Sequence, residues 1–147
     1  MRSKSGHTVI ELGAIASCLT VLVLLCVNLA IVLTGASVND RACRDAARAA
    51  AQASNSSDAL RLARRAAASY KVDGYFLTQP EVSATEFVYE DFAGNPPPNT
   101  SPYVSVTTKS AVRMPTPVFF YGAQFKGGTM DLERTYTFPI VKTSLNL

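Results

Sequence analysis

The chain has 147 residues, a formal net charge of +3, 48% hydrophobic residues and three cysteines. So small a positive surplus implies no nucleic-acid partner by itself. Three cysteines and a single histidine give neither a disulfide framework nor a Cys/His set at metal-ligating spacing.

Residues 12–39 carry no charge, and the stretch is apolar through Leu33. About 20 such residues cross a bilayer core about 30 Å thick. A helix is the form in which a single span satisfies its own backbone groups. The sequence therefore predicts a transmembrane helix over 7–36. Cys18 and Cys26 lie inside it, separated by about 12 Å along the axis, too far to pair within one chain. A secretory signal has a shorter apolar core, about 7–15 residues, before a small-residue cleavage site. This run is longer and flows into helix-forming sequence, so it is expected to stay on the chain. Ile15-Ala16-Ser17-Cys18 is similar to a bacterial lipobox, but the apolar run continues past Cys18 and Glu11 interrupts it before, which argues against lipidation.

Glu11 stands at the mouth of the span. An acid in a membrane helix costs about 2.5–3.5 kcal/mol at mid-depth and less near an end, so it needs a partner. Cleavage after Gly6 would create an amine on His7, four residues before Glu11, able to neutralise the carboxylate in the same chain or a neighbour. Gly13, Ala14, Ala16, Ser17 and Ala30 let span helices approach closely, and Gly13 with Ser17 forms a small-xxx-small pair. Asn28 is polar and deep in the span; a bond to another helix and a bond to its own backbone are both open. Arg2 and Lys4 favour a cytoplasmic N-terminus, but Arg41, Arg44 and Arg48 flank the other end, so the charge count alone leaves orientation ambiguous.

The helix is expected to continue beyond the membrane. Residues 37–53 hold no Gly or Pro and seven alanines. Asp40 with Arg44 and Arg41 with Asp45 have i,i+4 spacing. Gly35 is a weak point in this run and marks a candidate bend. Ser54-Asn55-Ser56-Ser57 is a break with N-cap chemistry. A second helix follows over 58–70, with Leu60, Ala63, Ala66, Ala67 and Tyr70 on one face. Arg61, Arg64, Arg65 and Lys71 lie mostly off it. Asp73-Gly74 ends this element.

Beyond Gly74 the period changes. Residues 82–89 read as a strand. Asn95-Pro96-Pro97-Pro98 and the residues to Pro102 form an exposed connection. Over 103–114, Val104, Val106, Val112 and Met114 face one side, and Ser105, Thr107, Lys109 and Arg113 the other. Val118-Phe119-Phe120-Tyr121 is an apolar cluster, read as a short helix under the sheet or on the membrane. Gly127-Gly128 is a turn. Over 129–138, Met130, Leu132, Tyr136 and Phe138 point inward; Asp131, Glu133, Thr135 and Thr137 point outward. Pro139 ends the strand or makes it an edge. The fold class expected is α+β: a long N-terminal transmembrane helix continuing as a stalk, a second helix, and a small antiparallel sheet of 3–4 strands. Its parts are a leader at 1–6, the span at 7–36, an extracytoplasmic helical region at 37–73 and a β-rich head at 74–147.

The basic residues Arg2 and Lys4, then Gly6, then Glu11 at the fifth mature position before an apolar helix, resemble a class III signal peptide of type IV pilins and pseudopilins. With Asn39-Asp40-Arg41-Ala42-Cys43-Arg44-Asp45-Ala46-Ala47-Arg48 beyond the membrane, and a Val-rich strand, Pro115-Thr116-Pro117 and a closing strand in the head, the whole resembles the TadE/TadF-like pseudopilins of tight-adherence (Tad/Flp) pili. Leu12 stands where Tad-type prepilins usually carry an aromatic. The resemblance implies a minor subunit of a type IV-like filament used in adhesion or secretion. Gly6 and His7 would be the cleavage site of a prepilin peptidase, and Glu11 the assembly residue. The implied partners are other pilin or pseudopilin subunits, an inner-membrane assembly platform, the prepilin peptidase and the lipid bilayer. The implied place is the bacterial inner membrane, single-pass, N-terminus cytoplasmic and head extracytoplasmic, or a pilus.

The rival readings are a generic single-pass anchored binding domain, which predicts no cleavage, and a DNA-uptake pseudopilin using Arg61, Arg64, Arg65 and Lys71, which predicts salt-sensitive DNA binding. An enzyme is not expected: His7 is at the membrane edge, and the head has no histidine and no Gly-rich phosphate loop. Asp131 and Glu133 share one strand face and serve to solvate it. Neither a metal nor a cofactor site is expected.

Overall fold

The computed structural model describes residues 4–115, 119–120, 123–124 and 128–140, with side chains over 8–115 and 128–140. Helix α1 (Lys4–Ala51) is one unbroken element of 48 residues, about 72 Å long at 1.5 Å per residue. It passes through Gly35 without a break. After a four-residue connection, 52–55, the chain reverses into α2 (Ser56–Ala68). The Asn55 carboxamide oxygen accepts from the Asp58 amide at 2.8 Å, which is the capping chemistry expected of the Ser/Asn break. Ala59, Ala63 and Ala67 are the buried stripe of α2. They meet Ala46, Ala47, Ala50 and Ala51 of α1 in one cluster. Two alanine faces carry no bulk to hold the helices apart.

The sheet is built on β3 (Tyr103–Arg113). On one side β6 (Thr129–Pro139) pairs antiparallel along its whole length, Val104 opposite Phe138 and Val112 opposite Met130. The other side is shared by β1 (Glu81–Val82), opposite Lys109 and Thr108, and β2 (Val88–Glu90), opposite residues 103–105. These four strands form one antiparallel sheet. The stretch 82–89, expected as one strand, is thus two short ones. Ser83 donates to the Thr107 carbonyl at 2.9 Å. Its hydroxyl then bonds Thr85 at 3.1 Å, a local bond that competes with continued pairing. Phe119–Phe120 (β4) is extended and pairs with Ala123–Gln124 (β5). The short helix expected near Val118-Phe119-Phe120-Tyr121 is therefore not what Phe119 and Phe120 form, in keeping with the strand preference of adjacent aromatics. Val118, Tyr121, Gly127 and the leader residues Met1 to Ser3 lie outside the described residues.

The alternation expected in β3 and β6 holds toward the strand ends, but in the middle of β3 Val106, Thr107 and Thr108 are all buried. Val104, Val106 and Val112 are fully buried against the helices. On the outer face Thr107 and Thr135 hydroxyls share a bond of 2.8 Å, Thr137 donates to Ser105 at 3.1 Å, and Lys109 meets Glu133 at 3.8 Å. Such cross-strand pairs fix register. The strand β3 runs back along α1. Its start packs near Ala46 and Ala50, and its end reaches Gly35.

Candidate functional site

The features that could carry function lie along α1. Gly6 and His7 fall in its first turn, and Glu11 follows on an exposed position. The helix is bare below the head: Leu12 is 70% exposed and Leu33 60%. Continuous apolar exposure of this kind far exceeds what a soluble monomer shows. The segment's mean hydropathy reaches 2.7, and it is long and apolar enough to cross a membrane. Within it Thr20 bonds the Ala16 carbonyl at 2.9 Å and Thr34 the Ala30 carbonyl at 2.8 Å. In lipid, such internal bonds replace those water would give. Asn28 is buried, unlike its neighbours Val27 and Leu29. Gly13 has open space where a side chain would project, so that face of the helix can be approached closely.

Higher up, α1 is clamped to the sheet by residues one turn apart. Gly35 sits so close to β3 that a Cβ there would lie 2.4 Å from Val112 Cγ2 and 3.3 Å from Leu77 Cδ1. The Asn39 amide donates to the Leu132 carbonyl at 3.3 Å. Cys43, fully buried, points its thiol at the Val106 and Arg134 carbonyls, at 3.3 and 3.1 Å. Burial pushes the thiol's pKa up, with a partial offset from Thr108. A thiol held this way is a packing residue, closed to an intersubunit disulfide. Around it Asp40, Arg44 and Tyr136 close a ring: Arg44 to Asp40 at 2.7 Å, Arg44 Nε to the Tyr136 hydroxyl at 2.9 Å, and that hydroxyl to Asp40 at 2.8 Å. The Asp40–Arg44 pair expected from spacing is present. Asp45, expected to pair with Arg41, instead accepts from the Tyr70 hydroxyl at 2.6 Å and meets Arg48 at 3.9 Å. That choice ties α2's end to α1.

No protein-family model matches the chain, and no curated protein or solved structure matches it either.

The sequence-derived site residues are thus gathered on the lower helix, Gly6, His7 and Glu11 within two turns, and remote from the head. Arg61, Arg64 and Arg65 are exposed on α2. Arg61 is engaged by Asp58 at 2.8 Å. The sequence reading missed the junction where the apolar helix enters the head. There, an open cleft of about 340 Å³ lies between α1 and the 71–77 loop, with Ile31, Thr34 and Val38 on one wall and Val72 and Phe76 on the other. Asp73-Gly74 reads as a terminator in the sequence, which hides that the Tyr75-Phe76 pair after it is placed beside the span.

Proposed function

We propose that the chain is a membrane-anchored minor pilin or pseudopilin, similar to the TadE/TadF-like subunits, that assembles through its N-terminal helix into a type IV-like filament serving adhesion or secretion. The observation that supports it is the continuity of α1. One helix carries a bare apolar segment and, without a joint, the alanine stretch at the centre of the head. A helix of this kind is at home only in lipid or among copies of itself, because its large apolar side chains from Val9 to Leu33 are mostly exposed. Transfer from lipid into a bundle keeps its apolar face dry. It also replaces lipid contact with close helix packing at Gly13 and Ser17.

Glu11 adds a charge contact to the assembled state. Cleavage after Gly6 by a prepilin peptidase leaves a mature amine at His7. In a bundle that amine, from a neighbour, neutralises the Glu11 carboxylate in a low-dielectric setting where opposite charges attract strongly. For the peptidase to reach the Gly6–His7 bond the first turns of α1 must fray, which helix ends do readily. In this reading the chain sits in the bacterial inner membrane with a cytoplasmic N-terminus, an extracytoplasmic head, and an assembly platform and sibling subunits as partners.

The test is the N-terminus of the mature protein, read by mass spectrometry of the membrane fraction. A chain beginning at His7 is expected. A chain that keeps Arg2 and Lys4 overturns the filament reading and leaves a plain anchored binding domain. One that begins at a lipidated Cys18 overturns both.

A further inference from the structure

The cleft at the helix–head junction has an address in the membrane. About 20 helical residues cross the hydrocarbon core, so a span entered at Leu12 leaves it near Ile31. Ile31 and Thr34 are walls of the cleft, which places its mouth at the boundary between acyl chains and headgroups. The opposite wall, Val72 and Phe76, is apolar, and the wall on α1 is continuous with the span. Lys71 stands on the rim. Asp73 borders it too, but its carboxylate accepts from the Phe76 and Leu77 amides at 3.2 and 3.0 Å and so faces the loop's own backbone. Beside the cleft, Tyr75 is 61% exposed, makes an edge contact with Phe76 at 4.8 Å between ring centres, and carries the Arg113 guanidinium 5.4 Å from its own ring. Exposed tyrosine with flanking cations is the composition that membrane–water interfaces select.

We propose that this face of the head is seated on the membrane that anchors it. The cleft takes the upper part of a phospholipid acyl chain, Tyr75 lies at headgroup depth, and Lys71 and Arg113 meet lipid phosphates. The inference rests on the membrane-anchor half of the proposed function and not on the filament half. Seating fixes the tilt of the head, so that the sheet's far end, at Tyr103, points away from the bilayer.

The chain contains no tryptophan, so single indoles report depth. The full chain carrying Tyr75→Trp is placed in vesicles of mixed phosphatidylcholine and phosphatidylglycerol, brominated on the acyl chain near the headgroup or near its end. The expected result is blue-shifted emission quenched by the shallow bromines, with Tyr103→Trp unquenched. Adding Lys71→Glu and Arg113→Glu is expected to abolish the Tyr75→Trp quenching. Leu22→Trp, at mid-span, is expected to be quenched by the deep bromines. If Leu22→Trp is quenched and Tyr75→Trp is not, the seating is wrong and the anchor stands. If Leu22→Trp is unquenched, the anchor reading falls and the seating with it. A blue shift at Tyr75→Trp that grows with protein density but resists bromine means a second copy covers this face, which also overturns the proposal. On the unaltered chain, acylation of Lys71 by a water-soluble ester is expected to slow relative to Lys109 when anionic lipid is included; equal slowing or none counts against it.

Discussion

Gly35 and Cys43 are two turns apart on the face of α1 that meets the sheet, and they do opposite things. Gly35 supplies absence. In an exposed helix, Gly→Ala gains about 1 kcal/mol. Here the added methyl would meet Val112 Cγ2 at 2.4 Å, on a buried, stiff, β-branched side chain that cannot swing aside cheaply. Overpacking of this kind costs about 1–3 kcal/mol, so Gly35→Ala is expected to destabilise the head by about 1 kcal/mol net. Thermal melts followed by circular dichroism in detergent would show it. Gly35→Ala combined with Val112→Ala should cost less than the sum of the two single changes, because the second removes the obstructing atom. The sequence shows Gly35 only as a poor helix former. What makes it necessary is a valine far along the chain, and no local pattern reports that. Cys43 was equally open in the sequence. Its burial predicts that a maleimide spares it in the folded protein and modifies it only after unfolding, which mass spectrometry of labelled peptides would read. The linkage has a definite sign. The folded thiol's pKa lies above the ordinary 9.0, so its contribution to stability is whole below about pH 9 and is lost as pH rises through the folded value. Alkaline melts of Cys43→Ala should lack that part of the slope.

At the scale of elements, β3 and β6 were legible because each has one face toward α1 and one toward water, which writes a period of two into the sequence. The 82–89 stretch was not, because its β-rich composition conceals a local hydroxyl bond that splits it. The boundaries of α2 lie two residues earlier than 58–70 because, within the Ser/Asn break, it is Asn55 that caps the helix. Both ends of α2 make predictions. Asn55→Ala should cost about 1 kcal/mol by orphaning first-turn amides. At the other end, Gln79 donates to the Ala67 and Tyr70 carbonyls at 3.1 and 2.9 Å. Gln79→Ala should cost about 1–2 kcal/mol and speed amide exchange in the last turn of α2 and the loop after it. The same ends respond to acid. Asp58 is held below its usual pKa of 3.8 by Arg61 and then Asn55, and Asp73 below the same value chiefly by the Leu77 amide. A lowered carboxylate pKa adds stability that is whole above the unfolded value and is lost as pH falls through the folded one. Melts between pH 5 and pH 2, about the range these groups span, should therefore fall less steeply in Asp73→Asn than in the parent chain.

The whole molecule is a head hung on the upper third of a helix whose lower part has no use for it. The Gly35, Asn39 and Cys43 contacts make the head and the upper helix one body, so displacement of the span by a neighbouring helix is transmitted to the head without a hinge. Composition and periodicity made this division readable, since an uncharged run and an alanine-rich run adjoin with no Pro and only Gly35 at their junction. The height at which the head meets the run was not readable, because it is set by β3 and the 71–77 loop. The division predicts that the two halves can be perturbed separately. Glu11→Gln keeps the shape of the side chain and removes its charge, and among the described residues it lies far along α1 from the head contacts that begin at Gly35. Given that distance from the described head contacts, it should leave insertion, the head's melting temperature and the amount in membranes unchanged. In the filament reading it should nevertheless remove the chain from sheared surface filaments, because a neutral amide gives a neighbour's amine no charge to meet. Gly13→Leu should weaken the same incorporation through bulk rather than charge, again with the head intact. If both variants entered filaments as the parent does, assembly through this helix face would be wrong. If either lowered the head's melting temperature, the separation of the two halves would be wrong instead.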